Sequence, residues 1–321
     1  RSRGLGDVYK RQVPYMSVKQ KGNSDNESAN ASMSVRTGRE CFRALSMPEA
    51  VTLASGVYRV RASVPSRSKA TADMVQTDEA FWTIFSFHFL SGEAFTKADC
   101  DAGLTRAVLD ATTARRLFGT TDAVGRTVQL DYVDYTVAGV VADVSMLATA
   151  AYAQIWVPYT AAGAEAMSWQ NDTMGPMHAI ILARSSADFD AIREETELLR
   201  KKYNDGLQDV EVFYRGQPDT QLAYLYRRWY AEPDVPGVML RYAIVVIILL
   251  LVPAVNLSGM TLSRMRRRMA EIGVRKAFGA TGGELMRQVF FENLVLTLLA
   301  GIVGLALSYV ATFALNGFLF S

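Results

Sequence analysis

The stretch Ser263–Thr281, SRMRRRMAEIGVRKAFGAT, decides the architecture of this chain, because it is a basic segment held between two stretches apolar enough to cross a bilayer. Upstream, Tyr242–Met260 runs 19 residues without a formal charge. As a helix rising about 1.5 Å per residue, such a run covers about 30 Å, the thickness of a hydrocarbon core. Downstream, Asn293–Ser321 is again free of charge, and LVLTLLAGIVGLALSYVATFA (294–314) is long enough for a second span. The segment between them sets Arg264, Arg266, Arg267, Arg268, Arg275, Lys276 and Arg287 against Glu271, Glu284 and Glu292. Short loops rich in Lys and Arg stay in the cytoplasm, so residues 1 to about 240 are expected on the opposite side.

Half of the 321 residues are hydrophobic and 21% are charged, the average expected for a water-soluble domain attached to a minority of lipid-embedded helix. The formal net charge of +2 is concentrated in the one loop, and no basic face elsewhere points to nucleic acid. Cys41 and Cys100 fall on the non-cytoplasmic side, where a disulfide can persist; free thiols are the expectation, with one incidental bridge left open.

The opening RSRGLGDVYKRQ (1–12) resembles read-through of sequencing-adapter sequence and is assigned no function, and residues 13–40, polar and poor in large apolar side chains, read as a flexible loop. The first residue is Arg1 and no apolar segment precedes the soluble region, so a helix upstream is expected to be missing. Val51–Ala62 and Ala72–Gln76 read as a hairpin, Phe81–Leu90 (FWTIFSFHFL) as a short helix or turn leading to a buried strand, and Thr105–Leu109 as a strand. Asp110 caps a helix over 111–117 that stops at Gly119. Strands are expected at 127–130, 135–144, 155–158 and 178–183, and a helix over 188–203 with its apolar side at Phe189, Ile192, Leu198 and Leu199. Strands mixed with a few helices, without a regular alternation, give an α+β extracytoplasmic domain joined to an α-helical transmembrane domain.

Motifs in both parts resemble those of MacB/FtsX-type ABC transporter permeases. In the soluble part they are Asp78-Glu79-Ala80-Phe81-Trp82, FLSGEAFT (89–96), ARRLFG (114–119), VGRT (124–127) and VAGVVADV (137–144), similar to a MacB-like periplasmic core domain; in the membrane part, EIGVRKAFGA (271–280) is similar to the family's signature. The resemblance implies a periplasmic core domain over 41–235 and an FtsX-like permease domain over 239–321, with spans at about 239–261 and 293–315 and a cytoplasmic coupling loop at 262–292. Relatives have one helix before the soluble domain and three after it, so two of four are expected here. It also implies a bacterial inner-membrane location and a partner, a separate ABC-type ATPase that binds the ATP and Mg, with no cofactor in this chain.

A helix beginning near Ala270 and turning at Gly279 presents Ile272 and Phe278 as apolar anchors, with Glu271, Arg275 and Lys276 around them for charge-assisted bonds; Gly273, Gly279 and Ala280 complete the docking element. The competing reading leaves the arginines as solvated topology signals, and Arg264–Arg268 are taken that way. Ala300, Gly304 and Ser308 put small residues every four positions on the second span, a face for core packing within one subunit or for a homodimer or a heterodimer with a second permease. Membrane lipid is the remaining partner, and the aromatic segment Tyr214–Tyr230 is expected at the headgroup level.

No enzyme is legible. Gly119–Thr127 (GTTDAVGRT) has one residue too many between its glycines and Arg where a phosphate loop needs Lys, and reads as a turn entering a strand. His88 and His178 are ninety residues apart, the cysteines lack metal spacing, and neither span holds a central charge of the kind that marks an ion path. Two functions from different classes remain: mechanical coupling of an ATPase to the outer domain, with export of an antimicrobial or peptide or release of lipoproteins as the work done, or a membrane-anchored sensor or binding module without an ATPase.

Overall fold

The structure is a computed structural model that describes residues 9–65, 69–227, 232–279 and 281–319. In chain order the elements are β1 (Lys10–Val13), β2 (Met16–Gln20), β3 (Ala29–Ala31), α1 (Val35–Gly38, continued by a π-turn Arg39–Arg43), β4 (Ala50–Ser55), β5 (Tyr58–Ser63), β6 (Lys69–Thr77), α2 (Ala80–Ile84), β7 (Phe89–Gly92), α3 (Lys97–Asp101), β8 (Arg106–Asp110), α4 (Ala111–Phe118), β9 (Thr127–Leu130), β10 (Val133–Val141), β11 (Ile155–Pro158), β12 (Met177–Leu182), α5 (Phe189–Asp205), β13 (Val210–Phe213), β14 (Asp219–Thr220) and α6 (Gln221–Tyr226), followed by α7 (Val235–Arg267), α8 (Met269–Ala277) and α9 (Gly282–Leu319). The chain divides into two compact units at Val238/Met239.

In the first unit, strand pairing closes a ring in the order β10-β8-β11-β6-β5-β9 and back to β10, with β7 added where β10 runs past β9. Strand alternation sends Val60, Ala62, Ala72, Met74, Ala107, Leu109, Val128, Leu130, Tyr135, Val137, Ile155 and Val157 into a shared core, joined by Leu117 and Phe118 of α4. Asp110 accepts the Thr113 N–H at 2.8 Å to start α4, and Gly119 ends it at φ +75°, as the sequence predicts. The glycines of two motifs have a packing reason: a Cβ on Gly92 (φ +64°) lies 2.2 Å from the Ala138 carbonyl, and one on Gly139 lies 2.6 Å from the Glu93 carbonyl.

A second sheet, β14-β1-β12-β4, lies between two apolar layers. β12 sends Ala179 and Ile181 into a core with Phe42, Ile192, Tyr203 and Tyr214, and Ile180 and Leu182 into another with Val75, Val108, Trp156 and the aromatic run. That run forms a contact network, with Phe81–Phe85 at 4.8 Å, Phe87–Trp156 at 5.3 Å and Trp82–Trp156 at 6.0 Å between ring centroids. Cys41 and Cys100 are buried free thiols, and burial pushes both up to about 12.

Several expectations are corrected. Residues 13–40 hold ordered strands rather than a loop: β2 pairs with β13 and β3, and β1, which includes Lys10, Arg11 and Gln12 of the stretch set aside as adapter sequence, lies between β12 and β14. Their polar side chains misled because the strands are short and their partners lie far away in sequence. The segment 51–62 is two strands in different sheets, split at Gly56-Val57; only β5 and β6 form the hairpin. On α5, Leu198 is 65% exposed because it lies well off the buried line of Ile192, Thr196 and Tyr203. Tyr214, Gln217, Asp219 and Arg227 are buried in the domain, not at a headgroup level, while residues 228–230 of that aromatic segment lie outside the described residues.

Asp78, the first residue of its motif, joins the two sheets. Its carboxylate accepts the Leu53 N–H (3.0 Å) and Thr52 hydroxyl (2.6 Å) from β4 and the Ala80 N–H (3.1 Å) from α2, with Arg43 Nη1 at 3.5 Å. Burial raises it from 3.8 to about 6, so the folded state keeps a proton that the unfolded chain releases; this contribution is complete below about pH 4 and lost as pH rises through 6. His178 opposes it: burial lowers it from 6.5 to about 4, and its contribution is complete above 6.5 and lost as pH falls through 4. Comparing wild type with Asp78→Asn isolates the first effect. Between pH 4 and 7 the wild type should lose roughly 2–3 kcal/mol relative to the variant in denaturant unfolding; a difference independent of pH contradicts this assignment.

In the second unit, α7 and α9 contain two segments long and apolar enough to cross a membrane, Val235–Met260 and Gly282–Ala314. Many of their large described side chains are exposed, among them Ile247, Leu250, Ile302 and Leu305, the pattern that suits a helix able to cross a membrane. Pro253 lies within α7.

Candidate docking site

The basic segment is almost wholly helical. α7 continues beyond its apolar part to Arg267, Arg268 breaks the direction, and α8 follows as a separate helix whose end is fixed by the Phe278 N–H bonded to the Val274 carbonyl (3.1 Å) and by Gly279 at φ +92°. Thr281 and Glu284 then start α9 with a reciprocal cap: the Glu284 carboxylate accepts the Thr281 N–H (2.9 Å) and hydroxyl (3.0 Å). The expected helix near Ala270 with a turn at Gly279 is therefore observed.

α8 is braced against α9 by two polar ties. Arg268 Nη1 donates to both carboxylate oxygens of Glu292 (3.0 and 2.9 Å), and Arg275 donates to Gln288 (2.7 Å) and to Glu271 one turn back on its own helix (2.6 Å). Between them lies a groove of about 370 Å³ lined by Ile272, Met286 and Val289. Ile272 is partly buried, whereas Phe278 is 88% exposed and Met269, Val274 and Lys276 are exposed with it.

The structure thus divides the sequence candidates. Ile272 lines the groove and Arg275 bonds across to Gln288 while also holding the exposed Glu271 of its own helix; Lys276 and Phe278 are exposed. Gly279 is required by its positive φ, whereas a Cβ on Gly273 meets nothing within 4 Å, so no contact among the described residues demands glycine there. Ala280 lies outside the described residues. Ala300, Gly304 and Ser308 share one exposed face of α9. Sequence reasoning missed Arg268, Met286, Gln288, Val289 and Glu292; the helical spacing of Met286 and Val289 is the signal that points to a face for Ile272.

The family model for the MacB-like periplasmic core domain matches residues 11–199, and that for the FtsX-like permease C-terminal region matches residues 243–321. The pyoverdine export ATP-binding/permease protein PvdT of Pseudomonas aeruginosa is 29% identical over 231 residues, covering 71% of this chain and 33% of that protein. The macrolide export ATP-binding/permease protein MacB of Escherichia coli K12 is 26% identical over 255 residues, covering 78% of this chain and 36% of its own. The chain therefore spans about a third of the length of these curated relatives. A solved domain assigned to a permease protein of Porphyromonas gingivalis shares the fold, with a TM-score of 0.50 at 17% identity over 75% of this chain and 99% of that one. With more than half of its residues matched by the first family model and its apolar C-terminal part by the second, this chain belongs to the MacB/FtsX-type ABC transporter permeases.

Proposed function

We propose that this chain is a non-catalytic permease part of an ABC transporter, transmitting ATP-driven movement from an ABC-type ATPase through α8 and the spanning helices to the outer domain. The observation that carries the reading is α8 itself, a short helix braced on α9 that ends in an exposed Phe278 at the junction of two long apolar helices. ATP and Mg belong to the ATPase, whether it is a separate polypeptide or joined to this one, as the names of PvdT and MacB combine the two roles. Because the spans hold no central charge, the work done is displacement of a cargo already outside, and the names of the relatives suggest export of small natural products. The outer domain is then periplasmic, and Ala300, Gly304 and Ser308 are the face for a second permease copy.

Cross-linking tests the reading directly. Both native thiols are buried, so Phe278→Cys places the one reactive cysteine of the described chain on the proposed contact. A cross-linker attached there in native membranes should capture an ATP-binding polypeptide, and a cysteine at exposed Tyr132 in the outer domain should not. Capture of no ATP-binding protein from position 278 refutes the docking role.

A further inference from the structure

The outer face of strands β9, β5 and β6 carries an open pocket of about 320 Å³. Cross-strand register builds it: Ser63 lies between Lys69 and Gln129, and Arg61 lies opposite Thr71, so all five side chains leave the same face. Arg61 and Lys69 are diagonal neighbours, about 7–8 Å apart between Cα atoms. Lys69 has no ion pair among the described residues. Asp131, the carboxylate of the lining, is engaged: its Oδ1 accepts the Arg61 backbone N–H (2.9 Å) and lies 4.0 Å from Arg61 Nε. Next to the pocket, Asp134 accepts one Gln129 amide N–H (3.1 Å) and Asp73 lies 3.6 Å from Arg59. The lining thus sets two cations against one carboxylate.

Tyr132 forms the rim. With Asp131 it makes the two-residue turn between β9 and β10, where Leu130 pairs with Val133, at φ +76° and +41° respectively. Such a turn favours glycine at its second position, and a bulky side chain there is strained. The Tyr132 residue is nevertheless 77% exposed, with Arg61 Nη2 bonded to its hydroxyl at 2.9 Å. Strain without compensating burial points to a use for the ring itself.

We propose that this pocket binds a saccharide carrying an oxyanion, its ring stacked on Tyr132 and its carboxylate or phosphate held by Arg61 and Lys69. The C–H face of a sugar packs on an aromatic ring, the hydroxyls of Ser63 and Thr71 and the amide of Gln129 match sugar hydroxyls, and the two cations supply charge-assisted bonds. An extended peptide fits less well. Strands β9, β5 and β6 belong to the closed ring and are paired on both sides, so no strand edge here is free to receive a main chain. The volume lies at the small end of the range for small-molecule sites. The proposal concerns the outer domain alone and is independent of ATPase docking.

Titration of the full chain in lipid nanodiscs tests it, with methyl glucuronide, methyl glucoside and glucose phosphate as probes. The first two differ only in a carboxylate. Bonds from the two cations to that group should favour the glucuronide by about tenfold or more, and the preference should shrink as salt is added. The variant R61Q/K69Q should bring the two affinities together. The variant Y132G should bind every probe about tenfold more weakly yet unfold no earlier than wild type, because glycine adopts φ +76° freely. Tighter binding of the glucuronide assigns the oxyanion as carboxylate, tighter binding of the glucose phosphate assigns it as phosphate, and either supports the site. The proposal is overturned if neither anionic sugar binds more tightly than the glucoside, if the preference survives R61Q/K69Q, if binding survives Y132G, or if acetate and inorganic phosphate bind as tightly as the anionic sugars, which assigns the pocket to a free anion.

Discussion

Asp219→Asn destabilises the outer domain by about 3–5 kcal/mol, because it removes the carboxylate charge bonded in two places to a fully buried guanidinium. Arg227 is 0% exposed at its side chain and Asp219 2%; Nε donates to one carboxylate oxygen in a very short bond and Nη2 to the other at 2.7 Å, with a further bond from Nη2 to the Arg215 carbonyl at 3.1 Å. The pair ties the end of α6 back to β14, which is itself paired with β1. Removal of one charge is costly, whereas removal of both is cheaper: Asp219→Leu combined with Arg227→Met should recover most of the loss, since a well-filled apolar pair avoids the desolvation of two ions. Denaturant unfolding of the single and double variants checks both statements. Equal stability of Asp219→Asn and wild type shows that the pair is not held as described.

The same residues show where sequence reading stops. Asp110, Gly119 and the strands at β8, β9, β11 and β12 were legible because their signals are local: a cap three residues from its amide, a glycine at a helix end, a run of side chains buried on both faces. The two long apolar helices and α8 were legible for the same reason, since absence of charge and a turn at Gly279 need no partner. The pairings of Asp78 and Asp219 were not legible, because the groups that hold them lie on other elements, Leu53 and Thr52 on β4 in one case and the end of α6 in the other. The ring closure of β9 onto both β5 and β10 is likewise invisible to periodicity, which gives the buried face of a strand but not its neighbours. In the docking segment the helix was predicted, but the bonds Arg275 makes within the chain, to Gln288 of α9 and to Glu271 one turn back, were not.

That division of labour on α8 gives the second large expectation. Phe278→Ala should weaken capture of the ATP-binding polypeptide by roughly 30- to 1000-fold, the loss of 2–4 kcal/mol typical of an aromatic anchor at the centre of an interface. The variant should leave the thermal midpoint of the chain within a degree or two, because a side chain that is 88% exposed has little to lose on the folded side. Ile272→Ala is the contrasting case. Ile272 lies in the groove with Met286 and Val289, so its truncation loosens α8 from α9 and should lower stability and capture together. Lys276→Gln removes a solvated charge and should change capture less than tenfold, with the effect shrinking as salt is added. Binding and thermal unfolding measured on the three variants separate anchor, brace and rim. If Phe278→Ala captures the ATPase as well as wild type while Ile272→Ala does not, the contact lies along the groove and α8 acts only as its wall.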